Sequence, residues 1–422
     1  MMSFAANIKH LCTQDFHGGA AKSAYRIHRG LLRRGLQSQM LVRDKLTNDA
    51  SVIRVRPTTG AELDFFENRD HKISKEADGI KGVFGGHYFK SDWGRESPCL
   101  SRLTKDADIV HVHWVSNNFL DYSDFFSRPD HAKPIIWRLP DMNPITGGCH
   151  FSGDCDGYKT QCGHCPAIGS EQGDDLSRAV FNRKLAALTG YQGRIEFVAS
   201  NDWMRQIVQS SAIGQHFPVH RVYNSVDTSL FAPTDRKTAK TDIGLDASRT
   251  TILFTAFNLS APRKGLETLI NSLAAVDPES YQLALVGGNT PDLPETFPTH
   301  FAGTIDDPAM LANYYQAADI VVVPSLSDNL PNVVLEALAA GCCVVASDLA
   351  GIPELVQHEH TGLLFQAGNS KALAETLKAL IASPSLRKNL STQARQFSEK
   401  ALALAVETDQ YMKLYDAVLE QA

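Results

Sequence analysis

The second half of the chain alternates short, largely apolar runs with longer segments whose apolar positions recur every three or four residues. The short runs are TILFTAF from Thr251, YQLALVGG from Tyr281, DIVVVPS from Asp319 and CCVVAS from Cys342. Between them lie a segment beginning after Lys264, PAMLANYYQAA from Pro308 and VVLEALAAG from Val333, which read as helices. Runs apolar at every position suit strands covered on both faces, and helices between them make the sheet parallel. The first half is similar but less regular. IKHLC from Ile8, SQMLVRD from Ser38, DIVHVHW from Asp108, PIIWRL from Pro134 and IEFVAS from Ile195 read as buried strands, with a helix over Ala20–Arg34. The fold class is α/β, with doubly wound parallel sheets.

A chain of 422 residues is too long for one compact core and suits two domains of about 200 residues each. Turn formers and Pro233 in YNSVDTSLFAPT, from Tyr223, mark a linker. The domains expected are 1–223 and 224–396, followed by one helical pattern over 397–422 with Leu402, Val406, Tyr411, Tyr415 and Leu419 along it. The hydrophobic fraction of 43% and net charge of −6 are ordinary for a globular protein and give no general attraction to nucleic acid. Basic clusters at 26–34 and 72–81 read first as solvated helix faces. No apolar stretch is long enough to span a membrane, and the start lacks the basic and apolar regions of a secretory signal. The cytoplasm is the expected location.

Three places carry candidate chemistry. In SLSDNLPNVVLEALAAGCCVV, from Ser325, Asp328 and Glu336 stand eight positions apart around a helix start. Pro331 suits the first helical position, with Asn329 or Leu330 as the cap and Gly341 at the far end. Free amides there favour an anion, and Glu336 two turns on is placed to accept from sugar hydroxyls. The plainer reading is two solvated acids on an ordinary crossover helix. Arg263 and Lys264 lie just before another helix, where cations are unfavourable without a compensating anion. Gly18 and Gly19 precede the first helix and let a ligand approach the backbone, but without the spacing of a dinucleotide or P-loop motif.

The third place is TGGCHFSGDCDGYKTQCGHCP, which holds Cys149, Cys155, Cys162 and Cys165 within a loop over 147–166. Four thiols at this spacing suit a closed, structural tetrahedral zinc site; disulfides or free thiols are the alternatives. Asp154 and Asp156 match a D-x-D pattern only by accident. His111 and His113 share one face of their strand, where a histidine most often serves the core.

The acid spacing, with GIPE at Gly351–Glu354, resembles the Glu-x7-Glu element of retaining glycosyltransferases of family 4. The resemblance covers nearly the whole chain. It implies a GT-B fold of two Rossmann-like domains facing a cleft, with the last helix crossing back to the N-terminal domain. It implies transfer of a sugar from a nucleotide-sugar donor to a saccharide or lipid-linked acceptor, without a catalytic metal. Such an enzyme has no nucleic-acid partner and is compatible with peripheral contact at the inner face of a membrane. Asp328, Glu336, Lys264 and Arg263 then carry catalysis, with Gly18, Gly19, Asn258, Asn329 and Leu330 also at the donor. Arg138, Asp141 and His113 stand on the acceptor side. Three positions depart from the pattern: Asp328 replaces a glutamate, Asn258 an arginine, and Pro140 the family's histidine. A branch of the family shares the cysteine insert. Rival readings are a sugar-nucleotide epimerase on the same fold and a non-catalytic sugar-nucleotide-binding protein.

Overall fold

The computed structural model describes residues 6–78, 89–128, 132–289, 293–294 and 296–421; of the basic run at 72–81, positions 79–81 lie outside them. The chain forms two compact units, Met1–Val222 with Thr408–Ala422, and Tyr223–Glu407.

The first unit is built on seven strands, β1 (Asn7–Gln14), β2 (Gln37–Asp44), β3 (Val52–Arg54), β4 (Ile109–Val112), β5 (Ile135–Leu139), β6 (Ile195–Ala199) and β7 (Val219–Arg221). They lie in the order β3-β2-β1-β4-β5-β6-β7, and every neighbouring pair is parallel. The second unit holds β8 (Thr250–Asn258), β9 (Tyr281–Gly288), β10 (Thr299–Gly303), β11 (Ile320–Val323), β12 (Cys343–Asp348) and β13 (Gly362–Gln366). Their order is β10-β9-β8-β11-β12-β13, again wholly parallel.

Alternation along each strand explains the unbroken apolar runs. Leu11, Val112, Trp137 and Phe197 enter one core of the first unit, whereas Ile8, Ile109, Ile136 and Val198 enter another. In the second unit Leu253, Val321 and Val344 part from Ile252, Val322 and Val345 in the same way. The strand order reverses between β1 and β4 and between β8 and β11. In open parallel sheets such reversals leave a crevice beyond the strands' carboxyl ends, where ligands bind.

The strands missed in the sequence, β3, β7, β10 and β13, are short and lie at or beside the sheet edges, where apolar runs are weakest. The helical pattern expected unbroken over 397–422 is interrupted. A helix over Pro384–Ala401 stops at Leu402, and a second runs over Leu404–Leu419. The cause is pairing with the chain near Val226, whose N–H donates to Leu402 O at 2.8 Å and which bridges to Ala403. Beyond the break, Tyr411, Leu414, Tyr415 and Val418 join the first unit's core beside Ile8, Ile27 and Ile109. Among the described residues, no helix is long and apolar enough to cross a membrane.

Candidate active site

In the second unit the strand order reverses between β8 and β11, and the loops after their carboxyl ends carry the predicted residues. Asn258 ends β8, and its Oδ1 accepts from the Ser260 N–H at 2.9 Å, which fixes the turn. Pro262–Lys264 form a single 3-10 turn, and Gly265 starts the helix Leu266–Leu273 with φ of +72°. A side chain at Gly265 would bring Cβ to 1.8 Å from Pro324 O, so glycine lets this turn press against the end of β11. The N–H groups of Leu326 and Ser327 donate to Arg263 O at 2.8 and 3.3 Å, which laces the two loops together.

These contacts bring the charged groups into one cluster. Lys264 Nζ donates to Asp328 Oδ2, and Arg263 Nη1 lies 3.5 Å from the same oxygen. Asp328, counted from the sequence among the catalytic residues, therefore has the two cations as its neighbours. The two cations and the carboxylate stand together just before a helix start, a place suited to an anion.

The helix after Asp328 begins one residue later than expected. It runs over Asn332–Ala339 with Pro331 as its N-cap, so neither Asn329 nor Leu330 fills that position. Asn329 instead uses its carbonyl to accept from the Gly351 N–H at 3.2 Å, joining this loop to GIPE. Glu354 Oε2 in turn accepts from the Tyr223 hydroxyl at 3.2 Å. Gly341 takes φ of +64°, as expected at the helix end.

Glu336 is 7% exposed, and its Oε2 accepts from the Tyr315 hydroxyl at 2.7 Å. Tyr315 is wholly buried on the helix Pro308–Ala317, and burial together with the Glu336 charge holds its hydroxyl well above the ordinary value. It stays a donor and fixes the carboxylate's orientation. Nothing in the spacing of the sequence pointed to this tyrosine.

In the first unit, Gly18 has φ of +82° at the start of the helix Gly18–Arg33, with Gly19 next to it. Pro140 follows β5 directly, and Asp141 is partnered. Its Oδ1 accepts from the Asn143 N–H at 2.9 Å, and its Oδ2 lies 2.6 Å from His150 Nδ1. His150 comes from the cysteine loop, and its place beside Asp141 was not foreseen. Arg138 is buried. His113, expected on the acceptor side, is also buried, and its Nε2 lies 2.9 Å from His10 Nδ1. Its position in the core comes from its strand face, which it shares with His111.

None of the eight cysteines is in a disulfide. Cys149, Cys155, Cys162 and Cys165 line one cavity of about 20 Å³, together with Gly147, Tyr158 and Ser177. Burial pushes the Cys149 thiol up to about 12 and Cys162 up to about 11, and the neighbouring thiols add to both shifts. Such a group favours a cation among its thiolates. The loop is braced by Lys184, buried on the helix Leu176–Thr189, whose Nζ donates to Asn143 O at 2.6 Å and Thr146 O at 3.2 Å. Burial lowers its pKa to about 8.

Two doubly wound parallel sheets of this kind make a GT-B fold. Over residues 249–383 the chain matches the family described as "Glycosyl transferases group 1". It is 30% identical over 190 residues to the D-inositol 3-phosphate glycosyltransferase of Rhodococcus erythropolis, an alignment covering 41% of this chain and 42% of the relative. It is 34% identical over 125 residues to the N,N'-diacetylbacillosaminyl-diphospho-undecaprenol alpha-1,3-N-acetylgalactosaminyltransferase of Campylobacter jejuni, covering 29% of this chain and 31% of that one. The chain thus spans less than half the length of these curated relatives. The solved structure of Anabaena Alr3699/HepE in complex with UDP-glucose aligns with a TM-score of 0.66 at 14% identity, over 97% of this chain and 99% of that one. The family match and the relatives support a place among the group 1 glycosyltransferases.

Proposed function

We propose that this chain is a retaining glycosyltransferase that moves a sugar from a nucleotide-sugar donor to a saccharide or lipid-linked acceptor, in the making of a bacterial surface polysaccharide. The observation that carries the reading is the cluster of Arg263, Lys264 and Asp328 beyond the carboxyl ends of β8 and β11, with Glu336 fixed by Tyr315 nearby in sequence. In this reading Lys264 and Arg263 meet the donor diphosphate and stabilise the charge that grows on it as the glycosidic bond breaks. Asp328 holds Lys264 in register beside the sugar, and Glu336 takes the ribose hydroxyls. Positioning and leaving-group stabilisation then supply the rate without a metal. The acceptor side falls on the first unit, around Gly18, Gly19, Arg138 and Asp141. There His150, held by Asp141, supplies an imidazole close in the chain to where the family's histidine gives way to Pro140.

The test is release of free nucleotide from UDP-, GDP- and ADP-sugars, with and without acceptor, together with the anomeric configuration of the product. Acceptor-dependent release with retention supports the reading. A donor consumed without acceptor to give an epimer, or bound without turnover, would replace it with one of its rivals.

The cysteine cavity is read as a structural zinc site. Thiolates fit that ion, and Cys149, Cys155, Cys162 and Cys165 are the ligands. No three of the four sulfurs are grouped within 4.8 Å of one another, against roughly 3.8 Å between ligands of a tetrahedral zinc–thiolate centre, so binding would draw the loop in.

A further inference from the structure

Among the described residues, the one group of three or more histidine, cysteine or acidic side chains whose ligand atoms all lie within 4.8 Å of one another is His10, His111 and His113. His10 on β1 sits opposite His111 on β4, and His113 follows two residues on, so one sheet face carries all three. They are at most 1% exposed. His10 Nδ1 lies 2.9 Å from His113 Nε2, and His111 Nδ1 lies 2.6 Å from the Tyr415 hydroxyl. The remaining ring nitrogens, His10 Nε2, His111 Nε2 and His113 Nδ1, have no hydrogen-bond partner.

That arrangement is expensive for a plain core. A buried polar atom without a partner is costly, and here there are three together. His28, whose ring stands 5.5 Å from that of His10, shows the ordinary solution: Ser38 and Ser51 occupy its two nitrogens at 2.7 and 2.8 Å. Burial holds His10, His111 and His113 well below the ordinary imidazole value. Each is therefore neutral and keeps the lone pair that a metal ion requires.

We propose that His10, His111 and His113 form a second metal site, for a late first-row divalent ion such as zinc, nickel or copper, apart from the cysteine loop. Tetrahedral imidazole ligands at about 2.0–2.1 Å stand roughly 3.3 Å apart, a small convergence from the present grouping. Binding exchanges the His10 Nδ1–His113 Nε2 contact for two bonds to the ion and gives His111 Nε2, the nitrogen turned from Tyr415, the partner it lacks. Tyr415 acts from behind on His111, as outer partners of ligating histidines do. Arg138 also bears on the choice of ion, because its charge opposes a cation here and already lowers His111 and His113. A hard cation that seeks oxygen gains nothing from imidazole to offset that repulsion, whereas a late first-row ion does. Because Tyr415 and Tyr411 lie on the returning helix, the site would fasten that helix to the sheet.

Full-length protein, stripped by chelation and dialysed against zinc, nickel or copper salts in turn, is crystallised and measured at the matching absorption edge. An anomalous peak bonded to the three imidazoles is the expected result. Density of an ordered water without anomalous signal, or peaks confined to the cysteine loop, overturns the proposal. In solution, cobalt loading should give visible bands beyond those of the cysteine loop and without added near-ultraviolet thiolate charge transfer, and His113→Asn should remove that part alone. Tyr415→Phe should weaken metal affinity about 10- to 100-fold; unchanged affinity counts against the assigned geometry. The wild-type crystal decides the question even if a histidine variant does not fold.

Discussion

Removing the Tyr315 hydroxyl tests whether Glu336 works as an oriented group or merely as a charge. Tyr315→Phe keeps the buried ring and deletes only the donor to Glu336 Oε2, a 2.7 Å contact. A hydrogen bond to a charged group contributes about 1.5–3 kcal/mol, and solvent screens this one little because the tyrosine is wholly buried. The lower figure corresponds to about a tenfold fall in kcat/KM for the donor. Glu336→Ala should cost about 2 kcal/mol or more, roughly thirtyfold. If the tyrosine acts only through the carboxylate, the double variant should be no worse than Glu336→Ala, with a coupling energy close to the whole effect of Tyr315→Phe. The assay is nucleotide release at varied donor concentration, with thermal unfolding to confirm that both variants fold. Additive losses would refute the argument, since Tyr315 would then act on the reaction by another route. Wild-type kinetics in Glu336→Ala would remove the donor from this place altogether.

Three further outcomes follow from particular contacts. Asp328→Glu should keep measurable activity because it retains a charge for Lys264, whereas Asp328→Ala should lose about 2 kcal/mol of donor use; equal behaviour of the two in steady-state kinetics would refute the role given to Asp328. Strong chelation, or replacement of one of Cys149, Cys155, Cys162 and Cys165, should lower Tm and disturb acceptor use more than donor affinity, because the loop carries His150 to Asp141; metal analysis without zinc in the cysteine loop would sink the site. Glu96 is buried, which raises its carboxyl to about 7. The folded chain keeps a proton that the unfolded chain releases near pH 4.5, so this contribution is complete below that pH and is lost as pH rises through about 7. The wild type should lose on the order of 3 kcal/mol across that range relative to Glu96→Gln, by the usual 1.4 kcal/mol per pKa unit; parallel Tm curves from pH 5 to 8 would show that Glu96 is not the group responsible.

What the sequence determined by itself was whatever depends on near neighbours. Runs such as the IVVV of β11 and the LALV of β9 are unbroken apolar stretches because both faces of their strands are covered, and that pattern is written residue by residue. Reading it gave the strands, the crossover helices and the parallel sheets, and the spacings gave Asp328, Glu336, Arg263, Lys264 and the four cysteines as candidates. Edge strands such as β3 and β7 escaped because a short edge strand needs no continuous apolar run. Only the tertiary structure decided which side chains meet. Lys264 and Asp328 are 64 positions apart, and Tyr315 and Glu336 are 21 apart; both pairs depend on how the strands are ordered in the sheet. The break at Leu402 likewise belongs to Val226, far away in the chain, and no helical periodicity could reveal it. Periodicity records how much of each residue is buried and on which face. It does not record the partner, because a hydrogen bond between distant residues is set by the path of the backbone between them, and that path exists only once the sheets have formed.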